Sequence, residues 1–504
     1  MENIMKDKEK IILNIKNYTI NLLAVLCIAN MITNICDAGK EYYSTLKDIQ
    51  YANAFLYLAL FFFTVQKVRL LNWQSLVATL IYLPFGYAYK YFRVGSPDLF
   101  NCDKYMVWII WLLLMIIVDM LLYHKYNATT RFYKTSLLLY VLMTVFLLYF
   151  RNGTKDPIML ALFGVYFLVP MNREKWREVI NQICYGWLLA FVIILYRSLK
   201  NNPNVSFGNG RWYGDFINIG EFGLFMGCVM AVILYKLYQI KKEKTRKSFE
   251  YVIWLISLML AIWVTCRVST VTLFIGIGCI LLMGFIAIRK DATIKNVLYK
   301  LTFVVIGLLI VGILGILVLK ALAGTNEAYW DSVLREGNAF LKPVANIIKR
   351  AHYMFGKERT FSHSEIFASD SIINYIDLFA SGRLSIIKVF SEYFNFSGNP
   401  TNTFMVGTYP AGNTHNAYTQ MIFWYGYIGG ALFISWIIYL VIKSVGLYIR
   451  TKKIDTVFPC VWMAMVLGVL LGEIVNFYWP IMVSTLLISY PVMIKITDEE
   501  CDKA

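Results

Sequence analysis

Apolar stretches long enough to cross a membrane follow one another along almost the whole chain, separated by short charged or turn-rich interruptions. A helix needs about 17–25 mostly apolar residues to span a bilayer. Cutting the chain at its interruptions gives fourteen candidate spans, at approximately 17–36, 48–66, 71–89, 105–123, 135–150, 156–170, 178–196, 216–239, 250–266, 268–288, 298–320, 416–442, 456–475 and 479–495. The stretch 156–170 is short and reads equally as re-entrant or tilted. The expected fold is therefore all-α: a polytopic membrane protein of about 14 transmembrane helices. Helices 1–11 fall in 1–320, a large helical extracytoplasmic loop in 321–415, and helices 12–14 with a cytoplasmic tail in 416–504. The first span follows Lys6, Lys8, Lys10 and Lys16 but lacks a compact apolar core and a small-residue cleavage site, which reads as a retained anchor.

Composition agrees with this reading. Hydrophobic residues make up 59% and charged residues 16%, whereas soluble domains carry about a quarter charged residues. The 48 Lys and Arg exceed the 31 Asp and Glu, giving a formal charge of +17. A nucleic-acid binder displays such an excess on a solvated surface. Here the cations sit in short runs between apolar stretches, so topology explains them better. With a cytoplasmic N-terminus, inside segments hold 28 of the 48, including Lys241, Lys242, Lys244, Arg246 and Lys247. Nine of the other 20 lie between Lys320 and Lys388, in a segment too long for the positive-inside rule, which leaves 11 in short outside regions. Both termini are then cytoplasmic and the 321–415 loop faces outward. The nine cysteines lie mostly in apolar segments and form no Cys-x-x-Cys pair, so neither a disulfide framework nor a zinc site is indicated.

Structureless loops beyond about 12–15 residues are uncommon unless functional or disordered, and 321–415 is patterned. Ser362 and Glu365 have capping-box spacing before Ile366 to Phe379, and Gly382 precedes a second helical pattern through Leu384, Ile387, Val389, Phe390 and Phe394. Gly398, Pro400, Gly407, Pro410 and Gly412 then mark a turn-rich stretch. No internal repeat or low-complexity tract is visible, so a transporter built from two matching halves gains no support.

Three of the four histidines, His352, His363 and His415, lie in this loop. His415, in Gly412-Asn413-Thr414-His415-Asn416-Ala417-Tyr418, immediately precedes a membrane span. An imidazole there can meet a lipid-borne substrate and accept a proton near neutral pH. A structural histidine tying the loop to the helix end is the alternative. His352 and His363 lack a carboxylate pattern typical of a metal site and are read as structural. Arg211 and Arg267 stand at the outer ends of spans and Arg383 opens the second helix of the loop, and the planar donors of a guanidinium suit phosphate oxygens. Each alone reads equally as a lipid-headgroup or surface contact. Glu221 and Glu473, inside spans eight and thirteen, are candidate partners for these arginines or members of a proton path, with structural pairing preferred over direct catalysis. The outer loop has no Asp-x-Asp and the chain no Walker sequence. Metal-bound nucleotide sugars and ATP are thus disfavoured, and the donor must arrive preloaded, as a lipid diphosphate does. No cofactor is expected.

Gly210-Arg211-Trp212-Tyr213-Gly214-Asp215-Phe216, then Arg267, Ser381-Gly382-Arg383, and Thr414-His415-Asn416-Ala417-Tyr418 followed by Tyr425-Gly426-Tyr427-Ile428-Gly429-Gly430 resemble, in this order, the bacterial O-antigen ligase and O-antigen polymerase superfamily. The resemblance runs from about 208 to 442. It implies a GT-C-like fold and a metal-independent, inverting glycosyltransferase of the cytoplasmic (inner) membrane. Such an enzyme moves a glycan from undecaprenyl diphosphate to an acceptor sugar on the outer face. His415 would be the general base; Arg211 and Arg383 would hold the donor diphosphate, with Arg267 supporting them and Glu221, Glu473 and Asn416 in supporting places. The implied partners are a lipid-linked oligosaccharide donor and acceptor, membrane lipids, a flippase and a chain-length regulator, and no nucleic acid. About two more spans than in many ligases favour polymerisation of O-antigen or capsule repeat units over ligation. The alternatives are an O-antigen ligase acting on another acceptor, a lipid-linked oligosaccharide flippase, and a peptidoglycan-type transferase relying on Asp370 or Asp377.

The orientation is directly testable. A reporter fused after Lys247 should behave as cytoplasmic and one inserted near Asn338 as external; both on one side would overturn the topology.

Overall fold

The computed structural model describes residues 2–37, 43–65, 77–82, 110–115, 118, 132–150, 157–169, 171–201, 216, 219–243, 250, 252–257, 317, 321, 324–336, 345, 348–349, 352, 373, 383–399, 405–406, 409–410, 414–473 and 475–496. Of these, 84% are helical. The principal helices are α1 (Glu2–Asp37), α2 (Tyr43–Val65), α3 (Lys134–Tyr149), α4 (Ile158–Phe167), α5 (Arg173–Asn201), α6 (Ile219–Glu243), α7 (Glu327–Glu336), α8 (Arg383–Ser391), α9 (Ala417–Thr451), α10 (Val457–Val469), α11 (Pro480–Ile488) and α12 (Tyr490–Met493). Met405–Val406 and Tyr409–Pro410 form a short antiparallel pair.

By length and composition, Arg173–Arg197, Gly220–Lys241 and Ala417–Thr451 can cross a membrane, while Ile49–Phe62, Lys134–Tyr149, Ile158–Phe167 and Ile454–Val469 are apolar but shorter. Several expected spans coincide with helices at shifted ends. The span expected at 17–36 is the second half of the longer α1, and that at 479–495 is broken into α11 and α12. Spans 71–89, 105–123 and 250–266 are described only in part, and 268–288 and 298–320 lie outside the described residues but for Leu317.

The chain forms two compact units. The first comprises 1–194, 435–444 and 475–504. Between helices, close packing and side-chain hydrogen bonds both contribute to association. Asn30 donates to Asn53 Oδ1 at 3.1 Å between α1 and α2, and the Tyr57 hydroxyl of α2 donates to Gln182 Oε1 of α5 at 2.8 Å. Gln182 in turn donates to Asn21 Oδ1 of α1 at 2.6 Å. The break between α11 and α12 follows from Pro491, which has no N–H to give to the Leu487 carbonyl four residues earlier. The Tyr166 hydroxyl of α4 supplies the missing donor at 3.1 Å.

The second unit comprises 195–434 and 445–474. There α6 packs against α10 through the Tyr235 and Phe458 rings, 4.7 Å apart. The most consequential feature is in α9. Gly426 adopts φ 72° and ψ −178° inside it, a region open essentially to glycine alone. The chain reverses there. Tyr418 and Phe433 have ring centroids 6.2 Å apart, although fifteen residues of straight helix rise about 22 Å. A Cβ on Gly430 would lie 2.8 Å from the Ile422 Cα, against about 12 Å of rise in a straight helix. The span expected at 416–442 is therefore two antiparallel arms, 417–425 and 427–451, in contact at Gly430.

Such a turn frees backbone groups that a buried position cannot leave unpaired. The Tyr427 N–H no longer reaches the Phe423 carbonyl and donates instead to the Asn395 carbonyl at 3.1 Å. The Phe423 carbonyl accepts from the Asn399 N–H at 2.8 Å and from Asn399 Nδ2 at 3.1 Å. The segment after α8 thus replaces the broken helical bond at both ends. The two chains cross so closely that a Cβ on Gly398, itself at φ 81°, would lie 2.2 Å from the Trp424 carbonyl oxygen.

A Cβ on Gly426 would fall 2.0 Å from the Phe396 carbonyl oxygen, whereas one on Gly446, further along the same helix, meets nothing within 4 Å. Gly426→Ala should destabilise the detergent-solubilised protein by at least about 1–3 kcal/mol, and Gly446→Ala should be neutral or stabilise by up to about 1 kcal/mol. Thermal unfolding midpoints of the two variants check this; equal midpoints would contradict the hairpin.

Candidate functional site

The arm 417–425 begins at a helix start whose orphan groups are matched by a helix end. Asn416, in extended conformation, is the N-cap, its side-chain oxygen accepting from the Thr419 N–H at 3.0 Å. Its Nδ2 donates to the Leu471 carbonyl at 3.2 Å, and the Ala417 N–H donates to the Leu470 carbonyl at 2.9 Å. In the same first turn, the Tyr418 hydroxyl donates to the Leu467 carbonyl, about one turn earlier in α10, at 2.8 Å. The last carbonyls of α10 and the two residues beyond are the ones a helix cannot satisfy internally. The first turn of α9 and its cap take up three of them, which locks the two ends together.

This lock places two titratable side chains face to face. His415 Nδ1 lies 3.2 Å from both Glu473 Oε1 and Glu473 Oε2. The Glu473 side chain is 5% exposed and that of His415 35%. A buried carboxylate therefore meets Nδ1 of a ring that is itself partly exposed. His415 has φ 51°, a left-handed conformation that costs a non-glycine residue about 1–2 kcal/mol. Its neighbours hold that geometry. Thr414 Oγ1 donates to the Asn416 carbonyl at 2.7 Å, and the Thr414 N–H donates to Gln420 Oε1 at 3.0 Å. Local strain kept by surrounding bonds is a common mark of a working site.

The structure thus brings together His415, Asn416 and Glu473. It gives Glu473 a histidine as one partner; among the described residues no ion pair joins Arg383 to Glu473. Arg383 is the first residue of α8, and α8 packs on the 417–425 arm through Phe390 and Phe423, whose rings are 5.0 Å apart. Glu221 is buried in the first turn of α6, where Phe222 and Phe225 flank Phe216 at 5.7 and 5.2 Å. Arg211, Arg267, His363, Asp370 and Asp377 lie outside the described residues, as does the capping box at Ser362 and Glu365. His352 is half-buried and takes no part in the His415 pair.

Sequence reasoning passed over three buried polar residues. Gln420, which holds Thr414, looks like any polar residue in the first turn of a helix. Lys236 and Asp455 are 3% and 1% exposed; the signals were a lone lysine inside an apolar run and an acid two residues after the Lys452–Lys453 pair. Among the described residues no cluster of three His, Cys, Asp or Glu side chains could hold a metal ion.

Chemically, the arrangement sets a carboxylate against Nδ1 of an imidazole and leaves the second ring nitrogen, Nε2, on the side away from it. Comparison with known proteins finds no matching family model and no match among curated proteins.

Proposed function

We propose that the protein is an extracytoplasmic polysaccharide polymerase of the bacterial inner membrane, of about fourteen spans, with both termini cytoplasmic and a GT-C-like fold. It joins undecaprenyl-diphosphate-linked repeat units of an O-antigen or capsule by inverting, metal-independent transfer. One observation carries this reading: a half-open imidazole, backed by a buried carboxylate, stands at the start of the helix that follows the loop. The motif order from Arg211 to Gly430 supplies the substrate class.

His415 takes the proton of the acceptor hydroxyl as its oxygen attacks the anomeric carbon of the donor sugar. The new bond is oxygen to carbon. The bond from that carbon to the diphosphate oxygen breaks, and its electron pair leaves with the diphosphate. Arg211 and Arg383, with Arg267 behind them, stabilise the charge that develops there, since a guanidinium fork matches phosphate oxygens. The thirteen residues of α10 rise about 20 Å, short of the roughly 30 Å hydrocarbon core. That length supports a site recessed below the outer surface at the far end of α10 from Lys452 and Lys453.

Vesicles containing the purified protein and a labelled lipid-linked repeat test the reading. Wild type should build a ladder of products without ATP and in the presence of a metal chelator. His415→Ala should lower the rate about a hundredfold or more while donor binding persists. Arg211→Lys and Arg383→Lys should each lose most activity at normal protein levels, because lysine keeps the charge but not the fork. Transport of the labelled lipid without linkage would overturn the reading in favour of a flippase, and transfer of single units to another acceptor in favour of a ligase.

A further inference from the structure

We propose that Glu473 is a positioning residue that places the proton of neutral His415 on Nδ1, so that Nε2 is the nitrogen that receives the acceptor's proton. The inference deepens the polymerase reading and rests on it for the identity of that hydroxyl.

An ionised carboxylate only accepts hydrogen bonds. Both Glu473 oxygens lie 3.2 Å from the same ring nitrogen, so the favourable arrangement has Nδ1–H donating between them. A neutral imidazole carries one N–H, and the other nitrogen then holds the lone pair. Glu473 is therefore a selector between two tautomers, only one of which leaves a basic nitrogen, Nε2, on the side of the ring away from the carboxylate. The carboxylate is 5% exposed, so water competes little for it. When Nε2 takes the proton from the acceptor hydroxyl, the ring becomes a cation with the Glu473 charge already beside it, and no group need move to balance it. The proton leaves Nε2 for water after the diphosphate has departed, and the ring returns to its starting tautomer.

The position is well constrained. Glu473 follows Leu470 and Leu471, whose carbonyls accept from Ala417 and Asn416. His415 immediately precedes those donors. The two side chains are thus carried on backbones hydrogen-bonded to each other one to three residues away, and the left-handed turn at His415 faces the ring toward the acid. Such a built-in orientation is what a general base needs and a surface histidine lacks.

The chain has four histidines, His124, His352, His363 and His415, so 15N-imidazole labelling gives a simple spectrum in which His415→Ala identifies the His415 signals. In wild type near neutral pH the neutral ring should carry its proton on Nδ1. Glu473→Gln is nearly the same size, but its amide can donate to Nδ1 and so permits the other tautomer. This variant should shift the tautomer balance and lower kcat at least about tenfold, with KM within about twofold. Glu473→Asp keeps the carboxylate and should recover much of the wild-type tautomer and rate. It also separates the role from a folding defect, because a merely structural role would not move the His415 spectrum. An unchanged His415 spectrum in Glu473→Gln, or wild-type turnover in that variant, would overturn the proposal. If wild type makes no polymer, the polymerase reading fails, while the spectrum of Glu473→Gln still decides whether Glu473 sets the tautomer.

Discussion

The exchange of hydrogen bonds between the start of α9 and the end of α10 is the constraint on which the site depends. A helix leaves donors unsatisfied at its beginning and acceptors unsatisfied at its end, and in a membrane protein each unpaired group is expensive. Here Ala417, Asn416 and Tyr418 give their donors to Leu470, Leu471 and Leu467. The geometry that satisfies the backbone is also the geometry that brings His415 to Glu473, so the placement of the pair follows from backbone accounting. The helix dipoles add to this, since the positive start of one helix meets the negative end of the other.

A second backbone device sets the length of the arm that carries the lock. The reversal at Gly426 shortens the helix after His415 to 417–425, and Asn395 and Asn399 repair the bond it breaks. The segment that follows α8 is thereby fixed to the same arm, and Phe390 on Phe423 extends the connection. Arg383, at the start of α8, and His415, at the start of the short arm, therefore belong to elements joined by both hydrogen bonds and ring packing. These supports fix the start of α8 relative to the start of the short arm.

Much of this was legible in the sequence, and the rest was hidden for identifiable reasons. The helical, apolar character followed from stretch length. His415 and Asn416 stood out because a polar Thr-His-Asn precedes a long apolar run. Glu473 was visible as an acid in an apolar segment, but its partner was not, because 58 residues separate it from His415 and only the exchange between helix ends brings them together. The hairpin was invisible because hydrophobicity continues without a break through Tyr425-Gly426-Tyr427. A single glycine inside such a run is ordinarily tolerated within a helix. What makes Gly426 a turn is the neighbouring Asn395–Asn399 segment, ready to accept and replace its bonds.

The central claim is that His415 and Glu473 act as one unit, and a double-mutant cycle on the turnover of lipid-linked repeats tests it most directly. Rates are measured for wild type, His415→Ala, Glu473→Gln and the double variant in vesicles of matched protein content. If Glu473 works only through His415, the double variant should be no slower than His415→Ala within about twofold, because the carboxylate has no ring left to orient. Losses that multiply, with the double variant slower than His415→Ala by the full factor of the Glu473→Gln loss, would contradict the account and give the two residues separate roles.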